Sequence, residues 1–230
     1  MSGLQPSAIR EILKFTADPE VISFAAGNPA PEAFPVETIA KLSADIFREE
    51  PINALQYSIT EGYPKLREWL KADLTKKGLF RDGDQVVITS GAQQAIETTA
   101  KILCNEGDVI ICEDPAFVGS LNAFRSYGVK LVGVPMDDDG MKPDILEEAL
   151  RSNPTTKFIY TIQNPTGRTT TLQRRKEILA LAEKYGVYIL EDNPYGALRF
   201  EGEDVKSIKE LDAKGSVLYC GTFSKTLAPG

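Results

Sequence analysis

The residue best suited to covalent chemistry is Lys225. It follows an apolar run, 217–220, that has the composition of a buried strand, and hydroxyl side chains flank it at Thr222, Ser224 and Thr226. A lysine that is held out of water can lose its proton and attack a carbonyl carbon. Most lysines are instead solvated surface residues. The position favours a lysine that forms an imine with an aldehyde, while the hydroxyls of Thr222 and Ser224 bind phosphate oxygens.

The chain contains no histidine. This absence excludes Ser-His and Cys-His hydrolase arrangements and any metal site with histidine ligands, and no metal site is predicted. Acid–base chemistry must therefore come from Lys, Tyr, Asp, Glu or Cys side chains, or from a cofactor.

Two further segments that follow apolar runs carry groups for binding a charged ligand. Ser90-Gly91-Ala92-Gln93 is a small-residue turn at a helix start, where free backbone N–H groups can bind a phosphate; ordinary capping is the alternative. Asp192 ends an apolar run, and a carboxylate at that depth needs a cation or several donors. It could hold a pyridine nitrogen in its protonated form, or make a structural salt bridge.

Three more candidates have polar or aromatic side chains. Asn164, in the turn Asn164-Pro165-Thr166-Gly167, could donate its amide N–H to a ligand oxygen. Tyr195 could donate its phenol, and Phe117 could stack on a ring. The structural alternatives are a simple turn for Asn164 and core packing for the two aromatic residues.

The pattern of the chain predicts an α/β fold that brings these candidates together. From about residue 86, short apolar runs alternate with amphipathic helical patterns, which indicates a mostly parallel sheet flanked by helices on both faces. The predicted strands are 86–89, 109–112, 130–134, 158–161, 187–190 and 217–220. The predicted helices are 36–47, 64–74, 92–103, 117–127, 144–150 and 172–185. Ligands of such sheets bind at the carboxyl ends of the strands, which is where the candidate residues lie.

Composition limits the possible partners and the location. The 230 residues carry a net charge of −7, which argues against nonspecific nucleic-acid binding because the phosphate backbone would be repelled. The N-terminus lacks a signal-peptide pattern, and no apolar stretch approaches the roughly 18 residues of a membrane span. The three cysteines, Cys104, Cys112 and Cys220, form neither a disulfide framework nor a zinc pattern. A cytoplasmic protein with buried thiols, and no membrane partner, is expected.

Seven segments can be compared with known families. They are Ala26-Gly27-Asn28-Pro29; Gln56-Tyr57 with Gly62 and Leu66-Arg67; Ser90-Gly91-Ala92-Gln93-Gln94-Ala95; Asp114-Pro115-Ala116-Phe117; Asn164-Pro165-Thr166-Gly167; Asp192-Asn193-Pro194-Tyr195; and Thr222-Phe223-Ser224-Lys225 with Ala228-Pro229-Gly230. Together they resemble the pyridoxal-phosphate-dependent fold-type I enzymes, specifically the class I/II aminotransferases. The resemblance covers essentially the whole chain and is nearest to the branch of 2-aminoadipate, kynurenine and broad-range aminotransferases.

The resemblance implies roles for the catalytic residues. Lys225 forms the Schiff base with pyridoxal 5'-phosphate and then moves a proton between the substrate α-carbon and the cofactor. Asp192 pairs with the pyridine N–H and keeps the ring an electron sink. Tyr195 and Asn164 hydrogen-bond the ring hydroxyl oxygen.

It also implies how the cofactor and the substrate are held. Phe117 stacks on the ring, while the backbone of Gly91, Ala92 and Gln93 and the hydroxyls of Thr222 and Ser224 bind the phosphate. Tyr57 reaches the phosphate of the neighbouring subunit, so a homodimer with shared active sites is expected. Gly27 and Asn164 approach the substrate.

The family pattern continues beyond the end of this sequence. Fold-type I enzymes normally add a further phosphate-binding arginine, the rest of the sheet and a small C-terminal domain with an arginine for the substrate carboxylate. Residues 1–50 are therefore interpreted as an N-terminal arm and part of the small domain, and residues 51–230 as an incomplete cofactor-binding large domain. The 230-residue chain alone is expected to be a poor catalyst.

The resulting hypothesis is transamination between an α-amino acid and a 2-oxo acid such as 2-oxoglutarate. A lyase or decarboxylase on the same scaffold is the first alternative, because it shares nearly all cofactor contacts. The effector-sensing domain of a transcription regulator is the second, and it is disfavoured because no basic helix-turn-helix precedes the aminotransferase-like arm.

Overall fold

The structure is a computed structural model that describes residues 18, 20–22 and 27–229. From residue 92 onward, the chain is built around a six-stranded sheet. Two residues of the motifs above, Ala26 and Gly230, lie outside these ranges. The strands are β1 (Val109–Asp114), β2 (Lys130–Asp137), β3 (Gly140–Met141), β4 (Thr156–Ile162), β5 (Tyr188–Asp192) and β6 (Val217–Cys220). Their order in the sheet is β3-β2-β1-β4-β5-β6. All neighbours are parallel except the short β3, which is antiparallel to β2, so the predicted mostly parallel sheet is confirmed.

Six of the helices among the described residues agree closely with the predicted ones, and two short helices, Pro51–Leu55 and Ile208–Leu211, were not predicted. The described helices are α1 (Val36–Glu49), α2 (Pro51–Leu55), α3 (Pro64–Lys76), α4 (Ala92–Leu103), α5 (Val118–Arg125), α6 (Pro143–Ser152), α7 (Leu172–Tyr185) and α8 (Ile208–Leu211). A single 3-10 turn, Pro31–Ala33, precedes α1. None of the helices among the described residues has both the length and the apolar character that a membrane crossing demands.

Side chains that alternate along the strands build one core on each face of the sheet. Ile111, Ile159 and Ile189 pack on one face against α6, α7 and α8. Phe158 and Leu190 pack on the other face against α4 and α5. Because both faces are covered, the strands are nearly continuous apolar runs, as parallel sheets require. The polar residues of the strands are concentrated at their carboxyl ends.

The bounds of α7 follow from its capping residues. The Thr171 hydroxyl accepts a hydrogen bond from the backbone N–H of Arg174 at the N-terminus. Gly186 ends the helix in the left-handed conformation, with φ of 66°. These signals fix where the connection to β5 begins.

The predicted strand Val86–Thr89 is wrong, because this segment is not paired within the sheet. It is held instead by contacts with the preceding residues. The N–H of Ile88 donates to the carbonyl of Glu61 at 2.9 Å, and Arg67 Nε donates to the carbonyl of Val86 at 2.8 Å. A cavity of about 1570 Å³, bordered also by Trp69, lies between this segment and strands β5 and β6. An apolar run pairs only where another backbone lies about 4.8 Å away, and here the cavity occupies that space.

Candidate active site

Asp192 is the last residue of β5 and is almost fully buried, with 6% of its surface exposed. Its Oδ2 accepts a hydrogen bond of 2.8 Å from the hydroxyl of Tyr160. Among the described residues, its Oδ1 has no hydrogen-bond partner. Burial raises the pKa of Asp192 to about 6, and the Tyr160 hydrogen bond acts in the opposite direction. The carboxylate therefore has one free acceptor in a poorly solvated place, which suits a cationic N–H donor.

Asn164 and Tyr195 are brought together from the ends of two adjacent strands. The amide Nδ2 of Asn164 donates to the hydroxyl of Tyr195 at 3.1 Å. Both residues are half-buried, and they follow β4 and β5. Two donors at one point can bind a single ligand oxygen, as predicted for the ring hydroxyl.

The turn that contains Lys225 directly follows β6. The hydroxyls of Thr222 and Ser224 lie 2.8 Å apart, and the N–H of Ser224 donates to Thr222 Oγ1 at 3.1 Å. The N–H of Leu227 donates to the carbonyl of Phe223 at 2.8 Å and closes the turn. Lys225 is half-buried, and it makes no ion pair or side-chain hydrogen bond with any residue that the structure describes. Its amine is therefore available for a ligand.

The start of α4 lies beside the end of β6. Gly91 has φ of 77° and precedes the first helical residue, Ala92, and no side chain of the described residues caps this helix. The first N–H groups of a helix, here those of Ala92 and Gln93, have no partner within the helix. The thiol of Cys220 contacts the carbonyl of Ala92 at 3.9 Å. These contacts bring the predicted phosphate-binding backbone near the turn with the two hydroxyls.

Phe117 immediately precedes α5 and is half-buried on the α4 side of the sheet. Its ring lies against Gly119, where an added Cβ atom would be only 2.5 Å from Phe117 Cε1. The side chain of Gln93 donates to the carbonyl of Gly119 at 3.4 Å. The aromatic residue and the predicted phosphate-binding segment are thereby linked.

Two predicted residues do not join this group. Tyr57 is 98% exposed and follows α2. Gly27 is exposed and has φ of 55°, and a Cβ atom added to it would have no neighbouring atom within 4 Å. Within this chain, the structure does not bring either residue to Asp192 or Lys225.

The large cavity borders only part of the candidate set. Asp192, Tyr195, Thr222, Ser224 and Gly91 line it, together with Ala92. Lys225, Asn164, Phe117 and Gln93 lie outside its lining. Its volume exceeds the 300–1,000 Å³ of a typical ligand pocket, because it continues into the space beside residues 86–89. The hydrogen-bonded pairs therefore define the site better than the cavity outline does.

Two residues that the sequence motifs do not indicate support the set: Tyr160 contacts Asp192, and Ser120 contacts Tyr160. Tyr160 lies within β4, and the apolar pattern of this segment predicts a strand but no role for Tyr160 in binding. Ser120 lies in α5. The sequence contains no signal for the contact between Tyr160 and Asp192, which depends on the register of the sheet. Tyr160 pairs with Leu190, so its side chain projects on the same face as Asp192, two residues further along β5.

Comparisons with known proteins agree with this arrangement. The sequence profile described as "Aminotransferase class I and II" matches residues 19–229. The chain is 43% identical to aromatic-amino-acid aminotransferase 1 of Thermococcus litoralis and 40% identical to 2-aminoadipate transaminase of Thermus thermophilus, in each case over 99% of this chain. It spans 57% of the length of each of these two relatives.

A solved structure matches the fold over the whole chain. The kynurenine aminotransferase of Pyrococcus horikoshii aligns with a TM-score of 0.93 at 40% identity, covering 100% of this chain and 58% of that one. A profile match over most of the chain, together with relatives of this identity, establishes the family. The chain belongs to the class I and II aminotransferases.

Proposed function

We propose that the protein containing this chain is a pyridoxal-phosphate-dependent aminotransferase, which moves an amino group from an α-amino acid to a 2-oxo acid such as 2-oxoglutarate. The observation that carries the proposal is the buried Asp192, whose Oδ1 has no partner among the described residues. A buried carboxylate oxygen is costly unless it is paired. The protonated nitrogen of a pyridine ring supplies the cation that this oxygen lacks.

The residues around Asp192 fit the rest of that cofactor. The Thr222 and Ser224 hydroxyls and the uncapped N-terminus of α4 offer donors for a phosphate. The Asn164–Tyr195 pair offers donors for a ring oxygen. We assign Phe117 to the ring face and the backbone of Gly91, Ala92 and Gln93 to the phosphate.

The cofactor supplies an electron sink for the charge left when a proton leaves the substrate α-carbon. The protein residues do the remaining work. Asp192 holds the proton on the ring nitrogen, because a carboxylate in a poorly solvated place strongly favours an adjacent cation. Lys225 would hold the cofactor covalently and, once the substrate amine has displaced it, would take and return the proton of the substrate α-carbon as a free amine. Asn164 and Tyr195 orient the ring.

Substrate and assembly are proposed from the relatives and from the family pattern. The relatives named above act, by their names, on aromatic amino acids, 2-aminoadipate and kynurenine. We infer a substrate with a bulky or long side chain, with Gly27 and Asn164 next to it. The kynurenine aminotransferase was solved in complex with PMP, which supports the cofactor. We also propose a cytoplasmic homodimer in which Tyr57 of one subunit reaches the phosphate of the other.

A visible absorption spectrum tests the central assignment. Addition of pyridoxal phosphate to the purified protein should produce an imine band, and reduction with borohydride should fix the label on Lys225. Lys225→Ala should abolish both results. Lys176→Ala, at an exposed position on α7, is the matched control and should retain them. An imine band that persists in Lys225→Ala would refute the assignment.

Product analysis separates the proposal from the alternatives. An aminotransferase requires a 2-oxo acid acceptor and returns the corresponding amino acid, whereas a lyase or decarboxylase releases product without an acceptor. The relatives named above are aminotransferases, so the lyase is not favoured. Salt-dependent DNA binding by the purified protein would support the regulator instead.

A further inference from the structure

Asp192 is held by a chain of two buried hydroxyl groups. The Tyr160 hydroxyl lies 2.8 Å from Asp192 Oδ2 and 2.7 Å from Ser120 Oγ. Tyr160 and Ser120 have no exposed surface, so water does not compete for these hydrogen bonds. An ionised carboxylate only accepts hydrogen bonds, and a phenol has one proton to give. Tyr160 therefore donates to Asp192, and Ser120 must donate to the oxygen of Tyr160.

The position of the Tyr160 hydroxyl is fixed by the sheet and by packing. Tyr160 and Asp192 are diagonal neighbours on one face, since Tyr160 pairs with Leu190 and Asp192 pairs with Ile162. The ring of Phe124 packs edge-on against Tyr160, with the ring centroids 5.2 Å apart at an angle of 80°. Ser120 lies on α5, one turn before Phe124, so the same helix supplies both the packing and the second hydroxyl.

We propose, on the basis of the aminotransferase function above, that Tyr160 and Ser120 are positioning residues that keep Asp192 ionised and leave Oδ1 as the acceptor for the cofactor ring nitrogen. Burial alone would favour the neutral acid, which could not hold a proton on the ring. The hydrogen bond from Tyr160 favours the charged form. It also engages Oδ2, so that the remaining oxygen is the one without a partner among the described residues.

The first test is a pH titration of the Asp192 carboxyl group in the cofactor-free protein. NMR of ¹³C-labelled aspartate carboxyl groups monitors the titration, and the spectrum of Asp192→Asn identifies the Asp192 signal. Tyr160→Phe removes the donor and retains the ring, so the midpoint should rise by about one pH unit or more. Ser120→Ala should shift it in the same direction by less. Tyr219→Phe is the matched control: the Tyr219 hydroxyl contacts Asn193 at 3.1 Å rather than Asp192, and the midpoint should not move.

The second test is the affinity for pyridoxal phosphate, measured by equilibrium dialysis on variants whose thermal unfolding is still cooperative. Tyr160→Phe should weaken binding about tenfold, and Tyr219→Phe should leave it within about twofold. An unchanged Asp192 midpoint in Tyr160→Phe would overturn the proposal, as would a shifted midpoint with unchanged affinity. Neither outcome would affect the aminotransferase assignment, which is tested separately by imine formation at Lys225 and by the requirement for a 2-oxo acid acceptor.

Discussion

At the scale of single residues, Asp192 is the group whose charge matters most. Asp192→Asn keeps the size of the side chain and removes the anion, so the ring nitrogen would lose its proton. We expect turnover to fall about 100-fold or more, with a smaller loss of cofactor affinity because the phosphate contacts remain. Steady-state kinetics of the protein that contains this chain, at a saturating cofactor concentration, measures this effect.

The control for this substitution is Asp138→Asn. Asp138 is 97% exposed and pairs with Arg168 at 3.1 Å on the surface, so its loss should change turnover by less than about twofold. Equal turnover in Asp192→Asn and in wild type would remove the principal support for the cofactor proposal.

At the scale of elements, the carboxyl edge of the sheet contains another buried acid besides Asp192. This is Glu113, the last residue but one of β1. It joins β1 to β4, because its two oxygens accept hydrogen bonds from the Thr161 hydroxyl at 2.6 Å and the Ile162 N–H at 3.0 Å. Burial raises the pKa of Glu113 from 4.5 to about 7, while these hydrogen bonds and Arg175 oppose the shift. The folded protein therefore binds more protons than the unfolded chain between these two pH values.

The sign of the resulting pH dependence follows from linkage. The stability that Glu113 contributes is fully present below about pH 4.5 and is lost as the pH rises through about 7. Between pH 5 and 8 this amounts to about 2 kcal/mol. Glu113→Gln does not titrate, so its free energy of unfolding should fall less over this interval. Urea unfolding at the two pH values measures the difference, with the exposed Glu203→Gln as control; identical pH dependence in Glu113→Gln and wild type would contradict the prediction.

Elements with local signals were predictable, and pairing between distant segments was not. The capping residues of α7, Thr171 and Gly186, are visible in the sequence, and its predicted bounds are confirmed. Residues 86–89 have the composition of a strand, but periodicity cannot say whether another backbone lies beside them. Their position depends on contacts with Glu61 and Arg67.

The residues of the candidate site also fall into those that local motifs predict and those whose role depends on contacts between distant segments. Asn164 and Tyr195 were predicted from motifs at strand ends, and the structure places their side chains in contact. Tyr160 has no motif, because a tyrosine in an apolar strand has the same pattern whether it fills the core or supports a carboxylate. Only the register between β4 and β5 distinguishes the two. The roles of these residues in catalysis stay predictions.

At the scale of the whole molecule, the exposed Tyr57 leads to a test of the proposed homodimer. If Tyr57 serves the neighbouring subunit, a hybrid of Tyr57→Phe and Lys225→Ala subunits contains one site with both residues intact and one with neither. Mixed and reassembled subunits should then bind pyridoxal phosphate with wild-type affinity at one of the two sites in each hybrid. Titration of hybrids purified by two different affinity tags measures this.

The alternative arrangement gives a different result. If Tyr57 acts within its own chain, no site in the hybrid has both Tyr57 and Lys225 intact, and no site binds with wild-type affinity. If Tyr57 has no part in the site, Tyr57→Phe should have no effect on binding. Parent dimers of each variant, taken through the same reassembly, provide the control.

The place of Trp69 gives the protein a built-in optical reporter. It is the chain's one tryptophan, it is 57% exposed, and it borders the same large cavity as Asp192. A group that binds in this cavity against the indole ring would remove water from it and move its fluorescence to shorter wavelengths. Binding beside Trp69 can therefore be followed by intrinsic emission, without a label.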